Sequence, residues 1–133
     1  MPVLDASVAV SFCLPDDVNH QKAVDYFESF AQSSESHIAP ELIRLELVAA
    51  LRRRNVDLED ILEAVAWLQA SVYALESFDD LFDATEKVIM KSGLRAGDAF
   101  YVACAQINNK RLVTFDKDQA ERAKLMKLDV VLL

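Results

Sequence analysis

The sequence predicts an α/β fold of three layers, in which helices cover both faces of a largely parallel central sheet. Short apolar segments of strand length alternate with longer segments whose apolar residues recur at helical spacing. This alternation is typical of an α/β sandwich, because consecutive parallel strands need a helical connection between them. With 133 residues, only two glycines and three prolines, residues 1–133 are expected to form a single domain with short loops.

The predicted elements follow one another in the order β-α-α-β-α-α-β-α-α-β-α-β. Apolar and β-branched segments predict strands at residues 2–4, 37–39, 71–75, 111–115 and 130–133. Helical periodicity predicts helices that begin near residue 8 and at residues 15–17, and further helices over residues 40–54, 58–69, 78–91, 98–107 and 119–126. The first strand is expected at the centre of the sheet, with the later strands laid beside it.

Capping residues mark several of the predicted helix ends. Ser7 is a candidate cap of the first helix, Asp16 or Asp17 of the second, and Asp118 of the last. Gly93 is expected to end the fifth helix in a left-handed conformation, which glycine adopts at no steric cost.

Three aspartates occupy positions that are costly for a charged side chain. Asp5 ends the first strand, Asp116 ends a β-branched and apolar strand, and Asp98 opens a helix that is apolar on nearly every side. A buried carboxylate is destabilising unless a cation or hydrogen-bond donors hold it. Because the carboxyl ends of parallel strands reach one edge of the sheet, we expect these three side chains to converge there.

Glu46 lies on the third predicted helix among apolar neighbours. Its core stripe is predicted to consist of Leu42, Leu45, Ala49 and Ala50. A glutamate in such a pattern is more often exposed than buried, and it can join the aspartates only if its helix leans over the same edge. Local pattern therefore leaves both interpretations of Glu46 open.

The residue types of this acidic set indicate a divalent cation. Three or four carboxylates without histidine or cysteine suit Mg²⁺ or Mn²⁺ rather than Zn²⁺. The remaining candidate ligands are isolated and have no metal-binding spacing: His20, His37, Cys13 and Cys104. Such ions favour phosphoryl chemistry, because they lower the pKa of an attacking water and stabilise a leaving oxygen.

Two hydroxyl residues lie next to the predicted acids. Thr114 is two residues before Asp116 on the same strand and therefore faces the same side. Ser7 follows Asp5 by two residues and can bond its carboxylate or a ligand. Thr114 is alternatively a β-branched residue that only fills the strand. Ser7 is alternatively the cap of the first helix.

The net charge of −8 is distributed unevenly along the chain. Residues 1–90 carry 6 basic and 17 acidic side chains, and residues 91–133 carry 8 basic and 5 acidic ones. Basic residues close to the special aspartates in sequence are candidate contacts to nucleic-acid phosphates, and ordinary surface charge is the alternative. They are Arg95, Lys110 and Lys117, together with Lys91 and Arg111.

The sequence also predicts a soluble, cytoplasmic protein. No apolar run reaches the ~20 residues that a membrane-spanning helix needs, and the amino terminus lacks the basic lead-in of a signal peptide. Two cysteines in apolar surroundings are typical of a reducing compartment.

Four blocks in this order resemble the PIN-domain ribonucleases and, more narrowly, the VapC toxins of prokaryotic toxin–antitoxin pairs. They are V-L-D-A-S-V, P-E-L-I-R-L-E-L-V-A-A-L, R-A-G-D-A-F-Y-V-A-C-A and L-V-T-F-D. The resemblance implies a parallel sheet flanked by helices and cleavage of RNA that depends on Mg²⁺ or Mn²⁺. Carried over by position, it implies catalytic and metal-binding roles for Asp5, Glu46, Asp98 and Asp116, with Thr114 and Ser7 as supporting hydroxyls.

The resemblance also implies partners. Similar proteins form homodimers and are blocked by a cognate antitoxin whose helix and tail fill the active-site groove. We expect such contacts on the apolar helices between Ala39 and Leu68. One position departs from the family pattern, because many relatives have Asn where this chain has Ala49.

Two other functions are compatible with the same residues. One is a metal-dependent phosphohydrolase of small phosphoesters, and the other is a catalytically inert PIN-like module that only binds a protein partner. The four acids argue against the inert module, because buried like charges repel one another.

Overall fold

The computed structural model describes residues 1–133 and contains seven helices and five strands, as the sequence predicts. The strands are β1 (Val3–Leu4), β2 (His37–Pro40), β3 (Val72–Glu76), β4 (Leu112–Thr114) and β5 (Val130–Leu132). The helices are α1 (Ala6–Cys13), α2 (His20–Ala31), α3 (Leu42–Arg53), α4 (Leu58–Ser71), α5 (Phe78–Ser92), α6 (Ala96–Asn108) and α7 (Lys117–Leu125). None of these helices has the length and apolar character required to cross a membrane.

The strands form one parallel sheet in the order β3-β2-β1-β4-β5, and the whole is a three-layer α/β/α fold. The short strand β1 lies at the centre, where Val3 pairs with both Ile38 and Leu112. The chain builds outward from β1 to β3 and then crosses to β4 on the other side. The strand order therefore reverses between β1 and β4, and the carboxyl ends at such a point form a natural ligand-binding crevice.

The core lies around β1 and α6. Val3 and Leu4 are fully buried, and α6 buries an unbroken run of seven residues from Ala99 to Ala105. A helix that is apolar on most sides has to be enclosed on most sides, which confirms the interpretation of this segment from sequence. Its position against the sheet also fixes the first turn of α6, where Asp98 lies.

Three helix starts differ from the predicted ones. The first helix begins at Ala6, and its cap is Asp5, whose carboxylate accepts from the Ser7 N–H. Asp116 caps α7 by accepting from the Gln119 N–H, whereas Asp118 lies inside that helix. In each case the acid at the strand end reaches the nearest unpaired N–H groups of the following helix first.

The second helix starts later than predicted. It begins at His20, because Asp17 holds a turn instead of capping a helix. Its Oδ1 accepts from the Asn19 N–H at 2.9 Å and from the Ser11 hydroxyl at 3.1 Å. Gly93 ends α5 with φ 68°, which confirms its predicted left-handed cap.

The buried face of α3 also differs from the predicted stripe. Its fully buried residues are Ile43, Leu47 and Leu51, whereas Leu45 is 69% exposed. The helix is apolar on more than one side, so its periodicity does not specify which side packs inward. Glu46 consequently lies beside the buried face and is half-buried.

Candidate active site

One cavity of about 570 Å³ brings the four predicted acids together. It lies at the carboxyl ends of β1 and β4, and its lining includes Asp5, Glu46, Asp98 and Asp116. The remaining lining residues are Ala6, Ser7, Val10, Leu45, Ala49, Ala50 and Arg53. The helix α3 therefore does lean over this edge, which the sequence left open. No histidine or cysteine lines the cavity.

Asp5 is the most deeply placed of these acids, with 5% of its surface exposed. Its Oδ2 accepts from the Ser7 N–H at 3.0 Å and from the Thr114 hydroxyl at 3.1 Å. Its Oδ1 accepts from Gln119 Nε2 at 3.2 Å. Burial raises the pKa of Asp5, and the hydrogen bonds from Ser7, Gln119 and Thr114 oppose that rise.

The two predicted hydroxyls hold the segment that follows β4. Thr114 Oγ1 accepts from the Asp116 N–H at 3.0 Å and lies 3.3 Å from Ser7 Oγ. Ser7 Oγ in turn accepts from the Phe115 N–H at 3.1 Å. Ser7 is thus a side-chain partner of the strand end rather than a helix cap, and both hydroxyls fix the position from which Asp116 extends.

Glu46 and Asp98 are each disfavoured as charged groups. Burial raises the pKa of Glu46, and the charges of Asp5 and Asp98 add to that effect. Its Oε1 accepts from the buried Tyr101 hydroxyl at 3.0 Å, which favours the charged form. Burial and the charges of Asp5 and Asp116 raise the pKa of Asp98 to about 6. None of the four acids forms an ion pair with lysine or arginine.

The chemical type of these side chains suits a hard divalent cation. All the donors are carboxylate oxygens, and their mutual repulsion is what a bound cation would relieve. As the side chains stand, no three of them lie close enough together to hold one ion directly. Mg²⁺ commonly keeps several waters and takes only one or two carboxylates directly, so this spacing is compatible with such an ion.

The basic residues predicted near the site separate into two groups. Arg95 lies at the start of α6, where its charge lowers the pKa of Asp98, and the exposed Lys117 directly follows Asp116. Lys110 lies at the opposite end of β4, in a pocket with Pro2 and Asp129.

The other basic residues also lie away from the cavity. Arg111 shares the pocket of Lys110 and pairs with Glu35 at 3.4 Å, and Lys91 lines a different pocket with Arg122. Lys110, Arg111 and Lys91 therefore lie outside the cavity of the four acids. Nearness in sequence to a strand does not specify which of its ends a residue reaches.

Arg53 lines the cavity from the last turn of α3, where a run of three arginines suits either the helix dipole or contact with RNA. Sequence reasoning missed two other residues of the site, of which Tyr101 donates to Glu46. Gln119 is fully buried and contacts Asp5 and Thr114. A glutamine on the otherwise apolar inner face of a helix is a usable signal, because burying an unpaired amide is costly.

Comparison with known proteins places the chain in a family. The sequence matches the family model of the PIN domain over residues 3–125. A search of curated proteins finds no match to it.

Solved structures share its fold at low sequence identity. VapC20 of Mycobacterium tuberculosis, a toxin that cleaves the sarcin–ricin loop, has a TM-score of 0.73 and 18% identity, with 91% of this chain and 94% of that chain covered. FitAcB of Neisseria gonorrhoeae has a TM-score of 0.71 and 16% identity over 98% and 96% of the two chains. PAE2754 of Pyrobaculum aerophilum has a TM-score of 0.66 and 20% identity over 90% and 82%. Because the family model spans nearly the whole sequence, this chain belongs to the PIN domain family.

Proposed function

We propose that this chain is a metal-dependent endoribonuclease that hydrolyses RNA phosphodiester bonds in the cavity of Asp5, Glu46, Asp98 and Asp116. The observation that carries the proposal is this group of four carboxylates, none of which pairs with a lysine or arginine, at the point where the strand order reverses. Such a group is destabilising for the fold alone, and it is the donor set that Mg²⁺ and Mn²⁺ prefer.

Each acid has a role in the proposed reaction. Asp5, Asp98 and Asp116 would hold the principal ion, partly through waters bound to it, and Glu46 would orient the attacking water or help to hold a second ion. The bound ion supplies Lewis acidity and lowers the pKa of that water. Tyr101 keeps the Glu46 carboxylate in place through its hydroxyl. Thr114 and Ser7 hold the backbone after β4, so that Asp116 keeps its position during the reaction.

Basic residues at the rim would hold the RNA. Arg53, Arg95 and Lys117 lie at or beside the cavity and form no ion pair within the chain. Contacts from such side chains to phosphates position a nucleic acid without reading its sequence. The activity of VapC20 on the sarcin–ricin loop also supports RNA as the substrate class.

We further propose that the chain is the toxin of a VapBC-type pair, acts in the cytoplasm as a homodimer, and is blocked by an antitoxin protein. An apolar groove of about 380 Å³ between α3, α4 and α5 supports a protein partner. Leu45, which is 69% exposed, lines both this groove and the acidic cavity. An antitoxin segment in the groove would therefore reach the mouth of the active site.

The proposal is tested by incubating the purified chain, freed of any antitoxin, with a mixed RNA pool in Mg²⁺, Mn²⁺ or EDTA. Cleavage that needs the metal, is lost in Asp98→Asn and is kept in Asp129→Asn is the expected result. Asp129 is an exposed aspartate at the other end of the sheet and serves as the matched control. Absence of both cleavage and Mn²⁺ binding in the folded protein would favour the inert binding module.

A further inference from the structure

Gln119 is a fully buried amide that contacts acids of the four-acid cavity without lining the cavity itself. It lies in the first turn of α7, a helix whose other buried residues are the alanines Ala120 and Ala123. A buried amide is destabilising unless its polar atoms are paired. The neighbours of Gln119 therefore indicate why a polar residue occupies this position.

Both N–H donors and the oxygen of the Gln119 side chain are hydrogen-bonded. Its Nε2 donates to Asp5 Oδ1 at 3.2 Å and to the Asp98 carbonyl at 3.2 Å, while its Oε1 accepts from the Thr114 hydroxyl at 2.8 Å. The two nitrogen-side partners are acceptors only, so the amide cannot be turned over without placing oxygen against oxygen. Its backbone N–H also donates to Asp116 Oδ1 at 3.0 Å. One residue thus contacts three of the four acids.

The Thr114 hydroxyl has a single proton, and two acceptors lie closer to it than Ser7 Oγ at 3.3 Å. Gln119 Oε1 lies at 2.8 Å and Asp5 Oδ2 at 3.1 Å. When the proton goes to the closer Gln119 oxygen, Asp5 Oδ2 retains only the hydrogen bond from the Ser7 N–H. A lone pair of that oxygen then remains free for a cation.

We propose that Gln119 is a positioning residue for divalent-cation binding by Asp5. Its amide nitrogen fixes Asp5 Oδ1, and its carbonyl oxygen takes the Thr114 proton away from Asp5 Oδ2. This inference rests on the proposed metal-dependent function and adds to it a residue that touches neither the ion nor the substrate. Removal of an outer partner of a metal ligand typically weakens metal binding by about 10- to 100-fold, which sets the size of the expected effect.

The test compares the parent chain with Gln119→Leu, which is close in size and apolar, and with the control Gln106→Leu. Gln106 is an exposed glutamine on α6 outside the cavity. Mn²⁺ affinity is measured by titration calorimetry on protein whose fold is checked by circular dichroism. We expect about 10-fold or weaker Mn²⁺ binding in Gln119→Leu, parent-like binding in Gln106→Leu, and partial recovery of RNA cleavage by Gln119→Leu at high Mn²⁺.

Several outcomes overturn the inference. Parent-like Mn²⁺ affinity in folded Gln119→Leu does so, and so does a lower melting temperature with unchanged Mn²⁺ affinity, because either leaves Gln119 with a structural role only. If Gln119→Leu fails to fold, the same measurement is made on Gln119→Met, whose flexible side chain has similar length. A parent chain that binds no Mn²⁺ would instead refute the proposed function itself, so the two failures are distinguishable.

Discussion

Replacing Asp98 by asparagine is expected to stabilise the metal-free protein while it abolishes activity. The pKa of Asp98 is raised from 3.8 to about 6, first by burial and then by the charges of Asp5 and Asp116. At neutral pH the charge on Asp98 is therefore less favourable in the folded chain than in the unfolded chain. At about 1.4 kcal/mol for each unit of pKa, this charge lowers the free energy of unfolding by at most about 3 kcal/mol.

The net gain is smaller than this ceiling. Asp98 is only half-buried, so solvent screens part of the repulsion, and asparagine gives up the interaction of a negative charge with the first turn of α6. We expect a gain of about 1 kcal/mol, or a rise of roughly 3 °C in the melting temperature for a domain of this size. Because a raised acid pKa favours the folded state at low pH and this contribution is lost as pH rises, the gain develops between about pH 4 and pH 6.

Excess Mn²⁺ is expected to make the parent protein more stable than Asp98→Asn. Only the parent retains the full carboxylate set, and a ligand that binds the folded state alone raises its stability by mass action. Thermal melts at pH 7.5 in EDTA and in Mn²⁺ measure both effects. A less stable Asp98→Asn variant in EDTA, or equal stabilisation of both proteins by Mn²⁺, would refute the electrostatic reasoning.

Three further predictions concern the rim, the core and the support of the site. Arg53→Gln is expected to raise the KM for RNA several-fold and to reduce the salt slope of RNA binding by about 0.7. Arg52→Gln changes the neighbouring arginine, which lies outside the cavity, and is expected to change neither quantity. Equal loss of RNA binding in the two variants would contradict this prediction. Leu47→Ala is expected to cost about 3 kcal/mol in urea unfolding and Leu45→Ala less than about 0.5 kcal/mol, and the reverse order would mean that α3 packs on its other face. Tyr101→Phe removes the hydroxyl that donates to the Glu46 carboxylate. It is expected to lower the free energy of unfolding by about 1 kcal/mol and to lower the rate of RNA cleavage. An unchanged rate would show that this hydrogen bond has no catalytic role.

The fold was predictable because its strongest patterns are local. The seven helices and five strands follow from periodicity and from Gly93, and the central position of β1 follows from the topology rules for parallel sheets. The exact helix starts were not predictable, because several backbone N–H groups lie within reach of each capping carboxylate. This applies to Asp5, Asp17 and Asp116. The inner face of α3 was also not predictable, since Leu45 and Leu47 are equally apolar and only packing distinguishes them.

The site was predictable to the extent that topology determines it. Asp5 and Asp116 follow strands that end at one edge, so their convergence required only a parallel sheet. The place of Glu46 in the site depends on how α3 leans over the sheet, and tertiary packing determines that lean. From the sequence, Glu46 was therefore assigned to the site only through the family resemblance. Tyr101 and Gln119 could not be assigned, because their roles consist of hydrogen bonds to residues distant in sequence.

The same acids that would bind the ion also organise the helices around it. Asp5 and Asp116 cap α1 and α7, and Asp98 lies in the first turn of α6, so three helix amino ends meet at the cavity. Each such end carries a partial positive charge that favours an anion by about 0.3–1 kcal/mol. This field partly offsets the repulsion among the carboxylates of the cavity in the metal-free fold. Once cations neutralise them, it would favour the negatively charged phosphate of a bound RNA, so that one arrangement of helices serves both the stability of the site and its proposed chemistry.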